Sequence, residues 1–226
     1  MNIEENINLF LGGFYKNLGR KPEDRNYSFD YCYNYFHEFY ENNIIANLAN
    51  PQNLQISCLQ IGFYLASWGM YRGSSFLLQK SLKYFERLIK FISGLNPIYW
   101  EIDVDSYDEE NISLLINLYN SIRNSLGNAE NHVTDTLVTK IMLGIFGNTP
   151  AYDENFTKGF GIKVFGRKTL YDIKNFYLSN KKTIDKIKIQ TIDFFSGEST
   201  KRFYTKAKII DMIGFVEGLK KGKNIK

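Results

Sequence analysis

Apolar side chains return every three or four residues through most of the chain, the spacing that puts them on one face of a helix. Between Tyr27 and Asn42 the run "YSFDYCYNYFHEFYEN" places Phe29, Tyr33, Phe36 and Tyr40 on one stripe, with Ser28 as a suitable N-terminal cap. Pro51 fits the first turn of a second helix, where its missing N–H is harmless, and Leu54, Cys58, Ile61 and Leu65 share a face until Gly69. A third helix is predicted from a cap at Ser74 or Ser75 through "FLLQKSLKYFERLIKFISGL", with Gly94 as its stop. Residues 112–126, with Leu115, Leu118, Tyr119 and Ile122 on one side, give a fourth helix. "HVTDTLVTKIMLGIFG" gives a fifth, strongly apolar one ending at Gly147. Downstream, "NTPAYDENFTKGFGI" reads as a turn into a short helix, and "RKTLYDIKNFYLSNKKTIDKIKIQTIDFFSG" as one or two amphipathic helices. "STKRFYTKAKIIDMIGFVEGLKK" reads as a closing helix capped by Ser199 or Thr200.

The two-residue alternation of a half-buried strand is confined to "WEIDVD" and "GIKVFG", so strands should be few. The expected fold is all-α, with about eight to ten helices, forming a single helical domain over residues 1–226 or two closely packed helical subdomains. The longest break in the helical pattern, near 96–111, is the place for a subdomain boundary. Its carboxylates (Glu101, Asp103, Asp105, Asp108, Glu109 and Glu110) lack the glycine turn and spacing of a calcium loop, and read as a solvated acidic loop.

Composition sharpens this picture slightly. A chain of 226 residues that is 44% hydrophobic can bury a sizeable core, and only 4 prolines leave long helices uninterrupted. The net charge of +4 permits an acidic partner such as nucleic acid without demanding one, and part of the excess lies in "GLKKGKNIK". Cys32 and Cys58 have no metal-site spacing and read as reduced, packed thiols of a cytoplasmic protein. With His37 and His132 the only histidines, neither a zinc site nor a cofactor is expected. The N-terminus "MNIEENINLFLGGF" carries acids where a secretion signal carries bases. No stretch approaches the roughly 20 apolar residues of a membrane span. Glycine-rich phosphate loops, GxSxG elbows and HExxH helices are all missing from the chain.

Two stretches place chemistry in apolar surroundings. In "LASWGMYRGSSFLL", residues 65–78, Arg72 stands between two glycines at a corner between helices. Its guanidinium, the hydroxyls of Ser74 and Ser75 and free amides at a helix start would suit a phosphate or carboxylate. Trp68 and Tyr71 beside it offer stacking faces for a ring. The alternative is that Arg72 braces the corner against helix carbonyls or an internal acid. In "LVTKIMLGIFGNTPAYDENFTKGFGI", residues 137–162, Lys140 lies on the apolar helix, and the pair Tyr152-Asp153 comes after a proline turn. Lys140 either pairs with an acid such as Asp153 or extends its ammonium out from a buried stem; Asp153 alone would be an ordinary helix N-terminal carboxylate.

This second stretch resembles the segment of helix-hairpin-helix DNA glycosylases that ends in their catalytic aspartate. There, too, an apolar helix, a Phe-Gly-x-Pro-like turn and a short apolar step precede an aspartate at a helix start. Asp153 falls at that place, with Phe156 and Phe160 at the apolar positions of the helix after it. The resemblance implies that Asp153 is a catalytic acid, stabilising charge on a sugar as a base leaves or activating a nucleophile, with an extruded base in a pocket. The family's glycine hairpin, which grips the DNA backbone, has no counterpart, because "NAENHVTDTLVTK" holds no glycine between Gly127 and Gly144. The likeness covers roughly 30 of 226 residues. The stretches "ASWGMYRGSSFLL" and "KIMLGIFGNTPAYD" are also similar to a family of all-helical bacterial proteins to which no activity is attached.

Taken together, these features predict a helical, nucleic-acid-associated protein, with or without catalytic activity. Trp68, Tyr71, Arg72, Ser74, Ser75, Lys140 and Tyr152 would line the ligand site and Asp153 would be its acid. The alternative is a non-enzymatic module for a small anionic metabolite, a nucleotide or a protein partner. The site stands as a unit only if Arg72, Lys140 and Asp153 converge on one cavity, which the sequence does not decide.

Overall fold

The computed structural model of the protein describes residues 1–11, 21–127 and 133–223, and eleven α-helical segments dominate them. The fold is all-α, as the apolar stripes require. In chain order the helices are α1 (Ile3–Leu11), α2 (Ser28–Glu41), α3 (Pro51–Ser67), α4 (Glu86–Ser93), α5 (Ile98–Glu101) and α6 (Glu109–Leu126). Next come α7 (Asp135–Phe146), α8 (Glu154–Phe160), α9 (Arg167–Ser179), α10 (Lys181–Ile184) and α11 (Lys206–Lys223). A two-stranded antiparallel hairpin, β1 (Gln190–Ile192) and β2 (Ser199–Phe203), precedes the last helix. No helix among the described residues is long and apolar enough to cross a membrane.

α7 is the centre of the fold. Every residue from Leu137 to Phe146 is buried, as expected of a helix that is apolar nearly all round. α2, α3 and α6 pack against it. α8 and α11 meet through glycines: a methyl at Gly159 would collide with the Gly214 carbonyl, and one at Gly218 with the Asn155 carbonyl. Small residues are required there because the two backbones touch.

Several local expectations are corrected. The predicted third helix begins only at Glu86; residues 76–79 and 82–85 form short 3-10 turns, and Ser75 caps the first of them. Leu82 lies directly against Gly62 of α3, so this stretch runs flat over its neighbour instead of coiling away from it. Ser28 starts α2 as a helical residue rather than capping it, its hydroxyl without a partner among the described residues. Ser199 and Thr200 belong to β2, and Thr205 Oγ1 instead receives the Lys208 amide at the start of α11. The strands are not in "WEIDVD" or "GIKVFG". They form where "KIQTIDFFSGESTKRF" folds back on itself, with Asp30 and Asn34 of α2 bonding the N–H and C=O of Ile192.

The stretch near 96–111 is anchored in the core by Trp100, Ile102, Val104 and Tyr107, all buried. Two of its carboxylates cap helices: Asp108 accepts the Asn111 amide of α6, and Asp103 accepts the Lys206 and Ala207 amides of α11 at 2.7 and 2.9 Å; Glu101, Asp105, Glu109 and Glu110 are exposed.

Candidate functional site

The end of α3 builds the first wall. Gly69 adopts φ +77°, a left-handed conformation that glycine reaches without strain. The Gly69 amide returns to Ala66 O and the Met70 amide to Leu65 O, closing the helix by the two bonds typical of a glycine-terminated end. Trp68 stands at this terminus, with Tyr71 and Arg72 next in the corner. Among the described residues no carboxylate pairs with Arg72, which is exposed. The bracing role for Arg72 against Asp153 is therefore filled by another cation.

α7 and the turn after it build the second wall. Gly147, at φ +67°, ends α7, and the chain then runs through a buried turn held by hydrogen bonds to several elements, with Asn148 Oδ1 and Thr149 Oγ1 left without a partner among the described residues. Tyr107 Oη donates to Asn148 O, and Asn148 Nδ2 donates to Tyr99 O. The Ala151 amide donates to Asp211 Oδ1, the Tyr152 amide to Thr139 Oγ1, and Thr136 Oγ1 to Tyr152 O. These bonds fix the position of Asp153. Its Oδ1 accepts the Phe156 amide at 2.9 Å and caps α8, while its Oδ2 lies 3.4 Å from Lys140 Nζ. Lys140 also donates to Trp68 O at 3.2 Å, tying α7 to the corner.

Between the walls lies a cavity of about 440 Å³. Trp68, Tyr71 and Arg72 line one side, Thr136, Lys140, Asp153 and Glu154 the other, and Arg25 and Phe215 close it. Arg72, Lys140 and Asp153 thus share one cavity. Among the described residues, three cations lie about the Trp68 indole: Arg25 Cζ at 5.3 Å, Lys208 Nζ at 5.5 Å and Lys140 Nζ at 5.7 Å from the ring centroid. Trp68 Nε1 and Tyr71 Oη are buried and have no hydrogen-bond partner among the described residues.

A second ion pair lies behind the indole. Lys208 and Asp211, one turn apart on α11 and both buried, meet at 3.0 Å. Burial pushes the Lys140 ammonium below the usual lysine range, against the pull of Asp153 and Asp211. Burial likewise pushes the Asp211 carboxyl upward, opposed by Lys208. Deeper still, burial raises the Asp30 carboxyl to about 7 although Tyr204 and the Ile192 amide donate to it. The arrangement holds a carboxylate and an amine at fixed positions beside a ring-sized space, with two guanidinium groups for an anion.

The remaining expected residues lie elsewhere. Tyr152 is buried among Phe156 and Phe165, and its hydroxyl reaches Thr169, so it supports the turn and does not line the cavity. Ser75 spends its hydroxyl on Met70 O and the Leu77 amide, and Ser74 is exposed outside the lining. The corner leads into a four-residue 3-10 turn, residues 76–79, so it has no α-helix N-terminus to offer an anion. His37 is buried against Tyr33 and pushed down to about 4 by desolvation; His132 lies outside the described residues. Cys32 and Cys58 are free, and no group of three potential metal ligands occurs among the described residues.

Arg25, Thr136, Thr139, Lys208 and Asp211 join the site without having stood out in the sequence. For the last pair a signal was present, since a lysine and an aspartate at i, i+3 interrupt "AKIIDMIGFV" much as Lys140 interrupts its own apolar helix. No family model, no curated protein and no solved structure matches the chain.

Proposed function

We propose that the cavity between Trp68 and Asp153 receives a nucleotide unit of a nucleic acid, its ring against Trp68 and Tyr71 and its phosphate at Arg25 and Arg72. The single observation that carries this reading is the convergence of two guanidinium groups, an indole and the Lys140–Asp153 pair on one space of about 440 Å³. That volume suits a ligand of nucleotide size. Stacking on aromatic faces and charge-assisted bonds to phosphate are the interactions by which proteins hold an unstacked base. The glycosylase-like placement of Asp153 adds a chemistry: a carboxylate fixed by a helix amide can stabilise positive charge developing on a sugar. In this reading the protein works in the bacterial cytoplasm, where Cys32 and Cys58 stay reduced.

A second reading, a non-catalytic module for a small anionic metabolite or free nucleotide, is favoured by one feature. The Asp153 charge is already met by Lys140 at 3.4 Å. The two readings separate in a titration of Trp fluorescence with a single-stranded oligonucleotide, a duplex containing an abasic site, and AMP. The nucleic-acid reading expects the oligonucleotide or duplex to bind tightest, with affinity falling steeply as salt rises, and Arg72→Ala to weaken it at least tenfold. AMP binding as tightly as either DNA selects the second reading. Asp153→Asn then tests chemistry apart from binding, through base release from the bound DNA.

A further inference from the structure

On a face that shares no lining residue with the cavity, the molecule leaves aromatic groups bare. The hairpin turns through "DFFSG", and its tip exposes Phe194 and Phe195 to 66% and 94%. Beside it α3 turns Ile56, Leu59 and Phe63 outward, exposed to 46%, 44% and 66%. Their spacing of three and four residues puts them on one side of the helix. A groove of about 530 Å³ lies between hairpin and helices, lined by Tyr31, Tyr35 and Phe39 of α2, Ile56 of α3 and the two phenylalanines.

The charges lining this groove are engaged within the chain. Arg202 bonds Glu38 and Glu41 at 2.6 and 2.7 Å, and Asp193 accepts the Phe195 and Ser196 amides of the turn. Nothing in the lining selects a polyanion, so neither nucleic acid nor an anionic lipid surface is the natural occupant. A bare aromatic side chain exposes about 200 Å², so the five outward side chains present on the order of 600 Å² of apolar surface. That is at the upper end of what a monomer leaves uncovered, and most of the roughly 800 Å² that each partner contributes to a standard interface. The face also carries both a protruding knob, Phe195, and an aromatic-lined groove next to it. Knob and hole on the same surface are the condition for a self-complementary two-fold contact.

We propose that this face is the interface of a homodimer, in which Phe195 of each copy seats in the other copy's groove beside Tyr35 and Ile56. The proposal is independent of what the cavity binds.

Sedimentation of the full chain over roughly 1 to 200 µM tests it. The expected result is a concentration-dependent passage from monomer to dimer that stops at two. Phe195→Ser and Phe63→Ser should each shift the midpoint at least tenfold toward monomer, with unchanged far-UV circular dichroism. Seating is tested by mixing two chains in a Cys58→Ser background, one with Phe195→Cys and the other with Ile56→Cys. Oxidation should yield the mixed disulfide dimer in preference to either like pair. A monomer at every concentration overturns the proposal, as do an open-ended series of oligomers or a dimer indifferent to Phe195→Ser and Phe63→Ser.

Discussion

Around Trp68 the chain buries two lysines and an aspartate almost completely and keeps a second aspartate mostly covered, while at the hairpin tip and on α3 it leaves three phenylalanines in water. Each region inverts the usual partition of side chains between interior and surface. They differ in how the inversion is met. The buried charges are neutralised in pairs, and their carboxylates also accept backbone amides of Phe156 and Ala151. Among the described residues the exposed rings have no such compensation. A buried ion pair rarely stabilises more than apolar side chains of the same volume. Two such pairs in an otherwise apolar core are therefore better explained by the position they impose on a carboxylate and an amine than by stability. For the exposed rings, only a covering surface removes the cost.

The contrast can be broken most directly at Lys208. Lys208→Met leaves Asp211 buried without its cation, and chemical denaturation should show a loss of about 3–5 kcal/mol; a neutral result would mean that the inner pair is dispensable. A pH series sharpens the same side. The Asp30 carboxyl is raised to about 7 when folded, from an ordinary value of 3.8. Its contribution is thus fully present below 3.8 and is lost as pH climbs through 7, because in that window the folded state holds a proton that the unfolded state has released. Urea unfolding at several pH values should show that Asp30→Asn flattens this decline, by on the order of 2–4 kcal/mol across the window.

A smaller effect is expected at the contact that sets α8 against α11. Gly159→Ala forces the two backbones apart and should lower the unfolding free energy by about 1–3 kcal/mol. The smallest is Arg72→Ala, which removes an exposed side chain. It should change thermal stability by less than about 0.5 kcal/mol while weakening any nucleotide signal at Trp68. A large loss of stability in Arg72→Ala would assign that arginine to the fold instead.

Most of the helices were legible because their stripes are long and regular, as in residues 28–41, 51–67, 109–126 and 135–146. The failures have identifiable causes. "FLLQKSLKYF" has helical spacing, yet the fit of Leu82 against Gly62 flattens it, a tertiary contact overriding local preference. The hairpin was hidden because "IKIQTIDFFSG" can be read at either period, and the "SG" turn was the cue that favoured strands. Within the candidate site, Arg72, Lys140 and Asp153 stood out as charges in apolar or glycine-rich settings. Arg25 did not, since it lies in an ordinary polar stretch and reaches Trp68 only through the tertiary fold.

α8 is a helix of seven residues, too short to persist in water by itself. It is held by α11, which begins more than 40 residues later in the chain and also brings Lys208, Asp211 and Phe215. On a ribosome the cavity therefore cannot close when Lys140 and Asp153 emerge. It has to wait until residues near Gly218 have left the exit tunnel, and until then the charged side chains of α7 and the turn after it face water.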